Sequence, residues 1–78
     1  MADPVSHHRP HLGRVTAFDA DRALGTVTAD EGAEFGFHST AIADGTRTIE
    51  VGARVVFDVR AGLGGRLEAR GLVVLTAG

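Results

Sequence analysis

Turn-forming clusters interrupt this chain too often for a helix of useful length. Between Leu12 and Leu75 the apolar and β-branched residues fall into five runs of five to ten residues: Leu12–Asp19, Leu24–Ala29, Glu34–His38, Arg54–Arg60 and Arg66–Leu75. The clearest is Arg54–Arg60, where Val55, Phe57 and Val59 fall on one side and Arg54, Asp58 and Arg60 on the other. That two-residue alternation is the period of a half-buried strand. Phe35 and Phe37 share a face by the same rule and belong in the core. Asp19-Ala20-Asp21-Arg22, Asp30-Glu31-Gly32 and Gly62-Leu63-Gly64-Gly65 supply turns between runs. Ser39 to Ala43 reads as one helical turn capped by a hydroxyl residue. The stretch from Asp44 to Gly52 is a long loop that Ile49 anchors inward. Five short strands with glycine-marked turns predict an all-β fold, a five-stranded antiparallel barrel over residues 12–76. Closing the sheet removes the edges that would otherwise pair with other chains.

Composition narrows the function classes. The 78 residues make one domain, and a chain this short buries only about 60% of its unfolded surface. With no cysteine there is no disulfide framework and no thiolate metal site. No apolar run reaches the roughly 18 residues of a membrane span, so no membrane association is expected. Residues 1–11 are expected to be a disordered arm without a signal core, which places the protein in the cytoplasm. His7, His8 and His11 are expected to remain solvated there, because no other ligand type clusters with them. No Ser/His/Asp arrangement or paired carboxylates stand in a catalytic context, so the protein is expected not to be an enzyme. No cofactor and no metal are expected. All eight basic residues are arginines, yet the net charge is −2, so bulk charge gives no basic face for phosphate.

The residues from Gly13 to Leu75 resemble the cold-shock domain, a five-stranded OB barrel. The second half carries the resemblance: Ala41-Ile42, Asp44-Gly45, Arg47-Thr48-Ile49, Gly52, Val55, Phe57, Val59 and Gly62 follow the family's spacing without a gap. Gly13-x-Val15 is similar to its opening "G-x-V", Phe18 falls on the phenylalanine after its tryptophan, and Ala69 and Leu72 fit its "A-x-x-V" core pair. The resemblance implies binding of single-stranded RNA or DNA by bases stacked on exposed rings, with a role as an RNA chaperone or regulator of gene expression. It also implies which rings are missing. The family's tryptophan is Ala17 here, its first motif reads Arg22-Ala23-Leu24-Gly25-Thr26-Val27, and its second reads Phe35-Gly36-Phe37-His38-Ser39. Leu24, Thr26, Gly36 and Ser39 thus stand where the family places platform phenylalanines.

Base–aromatic stacking contributes about 1–3 kcal/mol per base, so losing four rings weakens binding by roughly 4 kcal/mol even at the low end. Binding is therefore expected to be weak and to rest on other groups. The candidates are His38 and Phe18 as the remaining stacking residues, Arg14, Arg22 and Arg60 as phosphate or stacking partners, and Thr26 at a platform position. The alternatives are that Phe18 covers the barrel edge beside Leu24 and that Arg22 is a turn residue partnered with Asp19 or Asp21. The competing reading is a monomeric barrel that has exchanged nucleic acid for a protein partner. In that reading Ala17, Leu24, Thr26 and Gly36 form a smooth contact surface.

Overall fold

The computed structural model describes residues 10–75. Five strands, β1 His11–Asp19, β2 Leu24–Ala29, β3 Glu34–His38, β4 Arg54–Ala61 and β5 Leu67–Val74, close into a barrel in the order β1-β2-β3-β5-β4. β1 completes the ring by pairing with β4 from His11↔Phe57 to Arg14↔Arg54. All pairs run antiparallel except β3 and β5, which meet in parallel at Gly36↔Glu68. The expected all-antiparallel barrel is corrected on this point, and the cause is parity. Strands around a closed ring can alternate in direction only if their number is even, so five strands leave one parallel seam.

Two β-bulges reconcile the strand period with the core. The register of β1 against β2 shifts between Val15 and Ala17, which leaves Thr16 and Ala17 both outside and turns Phe18 inward. The register of β4 against β5 shifts between Val56 and Asp58, so that Arg70 and Gly71 are both exposed while Ala69 and Leu72 are both buried. Gly71 has φ +62°, a backbone conformation that glycine adopts without steric cost and that such bulges favour. The three-residue spacing of Ala69 and Leu72 is therefore the sign of an extra residue in the strand.

The core comprises Val15, Val27, Ala29, Phe37, Ile42, Val55, Phe57, Ala69 and Leu72. Phe18, Phe35, Ile49 and Val59 pack against it, so the inward assignments of Phe35, Phe37 and Ile49 hold. Burying a side chain the size of Phe57 or Leu72 contributes about 1.5–3 kcal/mol. After β3 a single 3-10 turn spans Ser39–Ala41, and its cap is the ring of His38 in place of the expected hydroxyl. No helix among the described residues is long and apolar enough to cross a membrane.

The arm expected over residues 1–11 lies, for residues 1–9, outside the described residues, as do His7, His8 and Thr76. His11 does not belong to it. It opens β1, and its imidazole stacks on Phe57 with centroids 5.6 Å apart at 20° and tilts against Phe35 at 6.0 Å. The aromatic ladder explains why a histidine reads as part of the fold here: its flat face covers rings that a solvated tail would leave exposed.

Candidate nucleic-acid interface

The register of β1, β2 and β3 builds one outer face from three rows. Asp19, Leu24 and His38 form the first row, Ala17, Thr26 and Gly36 the second, and Arg14, Thr28 and Glu34 the third. The middle row contains only small side chains, so the face is a shallow trough between Leu24 and His38 on one side and Arg14, Thr28 and Glu34 on the other. Leu24 is 49% exposed at the rim of the trough. The Thr16 hydroxyl, placed outside by the bulge, donates to the Thr26 carbonyl at 3.4 Å and lies 3.1 Å from the Thr28 hydroxyl. Thr26 itself lies in the middle row, opposite Ala17 and Gly36.

His38 is exposed at the end of β3. Its Nδ1 accepts the Thr40 amide N–H at 3.2 Å and lies 3.0 Å from the Thr40 hydroxyl. An amide can only donate, so Nδ1 presents its lone pair and the neutral ring carries its proton on Nε2. His38 thus offers one ring face and one N–H donor, held by the turn that it caps.

Phe18 is not on this face. The bulge turns it inward, where its ring lies parallel to that of Phe37 with centroids 6.1 Å apart at 7°. Gly25 makes the pair possible. It stands opposite both Phe18 and Phe37 in the register, and a methyl group there would collide with the Phe37 ring and the Ala17 carbonyl. Of the two roles open to Phe18, the structure shows the packing one, against Phe37 and the core. Ser39 is also absent from the platform: it is 3% exposed, and its amide donates to the Ala23 carbonyl at 2.8 Å.

The arginines are largely engaged. Arg22 Nε lies 3.8 Å from Asp19 Oδ2, with both side chains more than half exposed. Asp19 also accepts the amides of Asp21 and Arg22 through Oδ1, which shapes the turn. Arg14 Nη1 donates to the Gly52 carbonyl at 3.2 Å. Arg54 grips Asp30 with both terminal nitrogens, at 2.6 and 3.2 Å. The Arg54 hydrogen bond, followed by the charge of Arg54 and Arg14, holds the Asp30 carboxyl below the usual carboxylate range and raises Arg54 above its ordinary value. Arg70 lies 3.5 Å from Glu68.

Arg60 extends the middle row around the barrel, because Gly36 pairs with Glu68 and Glu68 with Arg60. Two strand spacings of about 4.8 Å put its Cα roughly 10 Å from that of Gly36, with a carboxylate between. The structure therefore brings Arg14, Thr26 and His38 to one face, leaves Arg22 in the turn beside Asp19, sets Arg60 at the margin and packs Phe18 inward. Exposed surface ion pairs contribute at most about 1 kcal/mol, so a phosphate can exchange for Asp19 on Arg22.

No protein-family model and no curated protein matches this chain. Among solved structures it is similar to one described as Drosophila Unr CSD456, with a TM-score of 0.73 and 26% identity. The match covers 92% of this chain but 29% of that one, so the chain spans less than a third of its neighbour. With the five-stranded barrel and the residues that follow the family's spacing, this likeness supports the reading of the chain as a divergent cold-shock domain.

Proposed function

We propose that the protein binds single-stranded RNA or DNA weakly through the outer face of β1–β3, without catalysing a reaction. The observation that carries this reading is the face itself, on which the three-strand register aligns His38, Leu24, Thr26 and Arg14, with Arg22 in the adjoining turn beside Asp19. In place of a stack of rings it offers one imidazole, one exposed leucine and arginines at the edges. Bases would lie in the trough with few hydrogen bonds to their edges, so the binding is tolerant of sequence. That suits an RNA chaperone or a regulator acting on unstructured strands.

Three arginine–phosphate contacts, from Arg14, Arg22 and Arg60, would give a slope of log affinity on log salt of about −2. Affinity would then fall roughly fifteenfold between 50 and 200 mM salt. The test is a fluorescence titration of the full chain with a labelled pyrimidine-rich single strand at both salts. Saturable binding with that salt dependence supports the reading. Arg22→Ala should flatten the slope by about 0.7, and His38→Ala should weaken binding severalfold with the slope unchanged. Flat curves at both salts would mean that the fold has been kept without its binding function.

A further inference from the structure

A groove lies away from the β1–β3 face. It runs between the 43–53 segment and the end of β5, has a volume of about 680 Å³, and shares no lining residue with the trough. Ile49, Leu72, Val73 and Val74 form its apolar floor, and Asp44 and Glu50 are the charged groups in its wall. No cation lines it. The Thr46 amide and hydroxyl donate to Asp44 at 3.0 and 2.8 Å and hold its carboxyl below the usual range, so this wall stays anionic at neutral pH.

Beside the groove the backbone of β5 has an open side. β3 pairs with β5 at Gly36↔Glu68, the bridge Ile42↔Leu72 follows, and the Ala43 amide donates to the Leu72 carbonyl at 2.8 Å. Beyond Leu72 no described strand continues on that side, because the chain turns away at Asp44-Gly45, where the Gly45 amide donates to the Ile42 carbonyl. Val73, Val74 and Leu75 are 46%, 38% and 43% exposed along this stretch. An unpaired strand edge beside an apolar trough is the arrangement to which an extended peptide adds as a further strand. The acidic wall selects the charge of the occupant and disfavours a phosphate backbone.

We propose that this groove docks an extended segment of a partner protein in which apolar side chains alternate with lysine or arginine. Apolar side chains enter against Ile49, Val73 and Val74, and the intervening basic groups meet Asp44 and Glu50. The site is independent of the β1–β3 face, so one barrel can hold a strand of nucleic acid and a peptide together.

The test uses the full chain labelled with ¹⁵N and a capped hexapeptide of alternating valine and lysine. The expected result is saturable amide shifts at Asp44, Glu50, Val73, Val74 and Leu75, with Leu24, Thr26 and His38 unmoved. Glu50→Lys should weaken this peptide threefold to tenfold. The substitution leaves the fold intact, because Glu50 is exposed and only its carbonyl is used, by the Ala53 amide. Val73→Lys should weaken it at least tenfold, and His38→Ala should leave it unchanged. A peptide of alternating valine and glutamate should bind more weakly than the lysine peptide. Absent or diffuse shifts, equal binding of the two peptides, shifts at the groove caused by an oligonucleotide, or concentration-dependent shifts without peptide that reveal a second copy in the groove would each overturn the proposal.

Discussion

Replacing Gly36 by phenylalanine should restore a stacking ring where the trough is emptiest. A Cβ added there meets nothing closer than the Gly25 carbonyl at 3.8 Å, and the residue is exposed with an ordinary extended backbone. The ring would stand between Thr26 on β2 and Glu68 on β5, one pair along from Leu24 and His38. Phenylalanine favours strands and glycine disfavours them, by up to about 1 kcal/mol, so stability should hold or rise. One added base–ring stack contributes about 1–2 kcal/mol towards the lower end of the usual range, which is a five- to thirtyfold gain in affinity. The assay is anisotropy of a labelled oligothymidine with the original chain, Gly36→Phe and Gly36→Leu, each with its thermal unfolding curve. The leucine variant adds apolar area without a π face and should gain much less. The salt slope should not move, because stacking neutralises no phosphate. An unchanged affinity in a stably folded Gly36→Phe, or an equal gain in Gly36→Leu, would refute the assignment of this face to stacked bases.

Three other outcomes follow from the packing and the charges. Gly25→Ala should lower stability by about 1–3 kcal/mol in thermal or urea unfolding, because the new methyl group meets the Phe37 ring and the Ala17 carbonyl. Leu72→Ala should cost about 2–5 kcal/mol, a large part of what a domain of this size has, and should leave a measurable unfolded fraction by circular dichroism at 37 °C. Asp30 has its folded pKa depressed below 3.8, so its pairing with Arg54 stabilises the protein fully above that pH and is lost as pH falls through the folded value. Asp30→Asn should therefore be less stable at neutral pH, and its unfolding midpoint should converge with that of the original chain as pH falls below the usual carboxylate range.

The strands were legible because their apolar residues alternate without interruption in Arg54–Arg60 and Glu34–His38. The bulges were not, since an extra residue in one strand is defined only against its partner. That is why Phe18 reads as outward from the family pattern but lies on Phe37. His11 was misplaced because a histidine after two prolines carries no period of its own, and the rings it covers come from β3 and β4. The parallel seam was implicit in the count of five strands in a closed ring, although local residue patterns say nothing of it. The trough was legible by residue type through the family spacing, and the tie between Arg22 and Asp19 through their closeness in the turn. The groove by β5 draws on two segments distant in sequence, 43–53 and 72–74, and left no local signal.

The β3–β5 seam divides the molecule mechanically. On one side is a three-strand meander whose neighbours are close in sequence, and on the other is the β4–β5 hairpin. The two are hinged along the four pairs of β1 with β4 and latched by the single pair Gly36↔Glu68 and the bridge Ile42↔Leu72. Local pairings cost the least chain entropy, so both halves can zip early and the long-range pairings of β1 with β4 and of β3 with β5 join them afterwards. In the native state the same latch is the cheapest place to breathe, and amides beside it should exchange with solvent through partial opening while those of the meander wait for global unfolding. The outer face meets that latch through Gly36 and the groove meets it through Leu72, so the pairing that holds the barrel shut also keeps each site in shape.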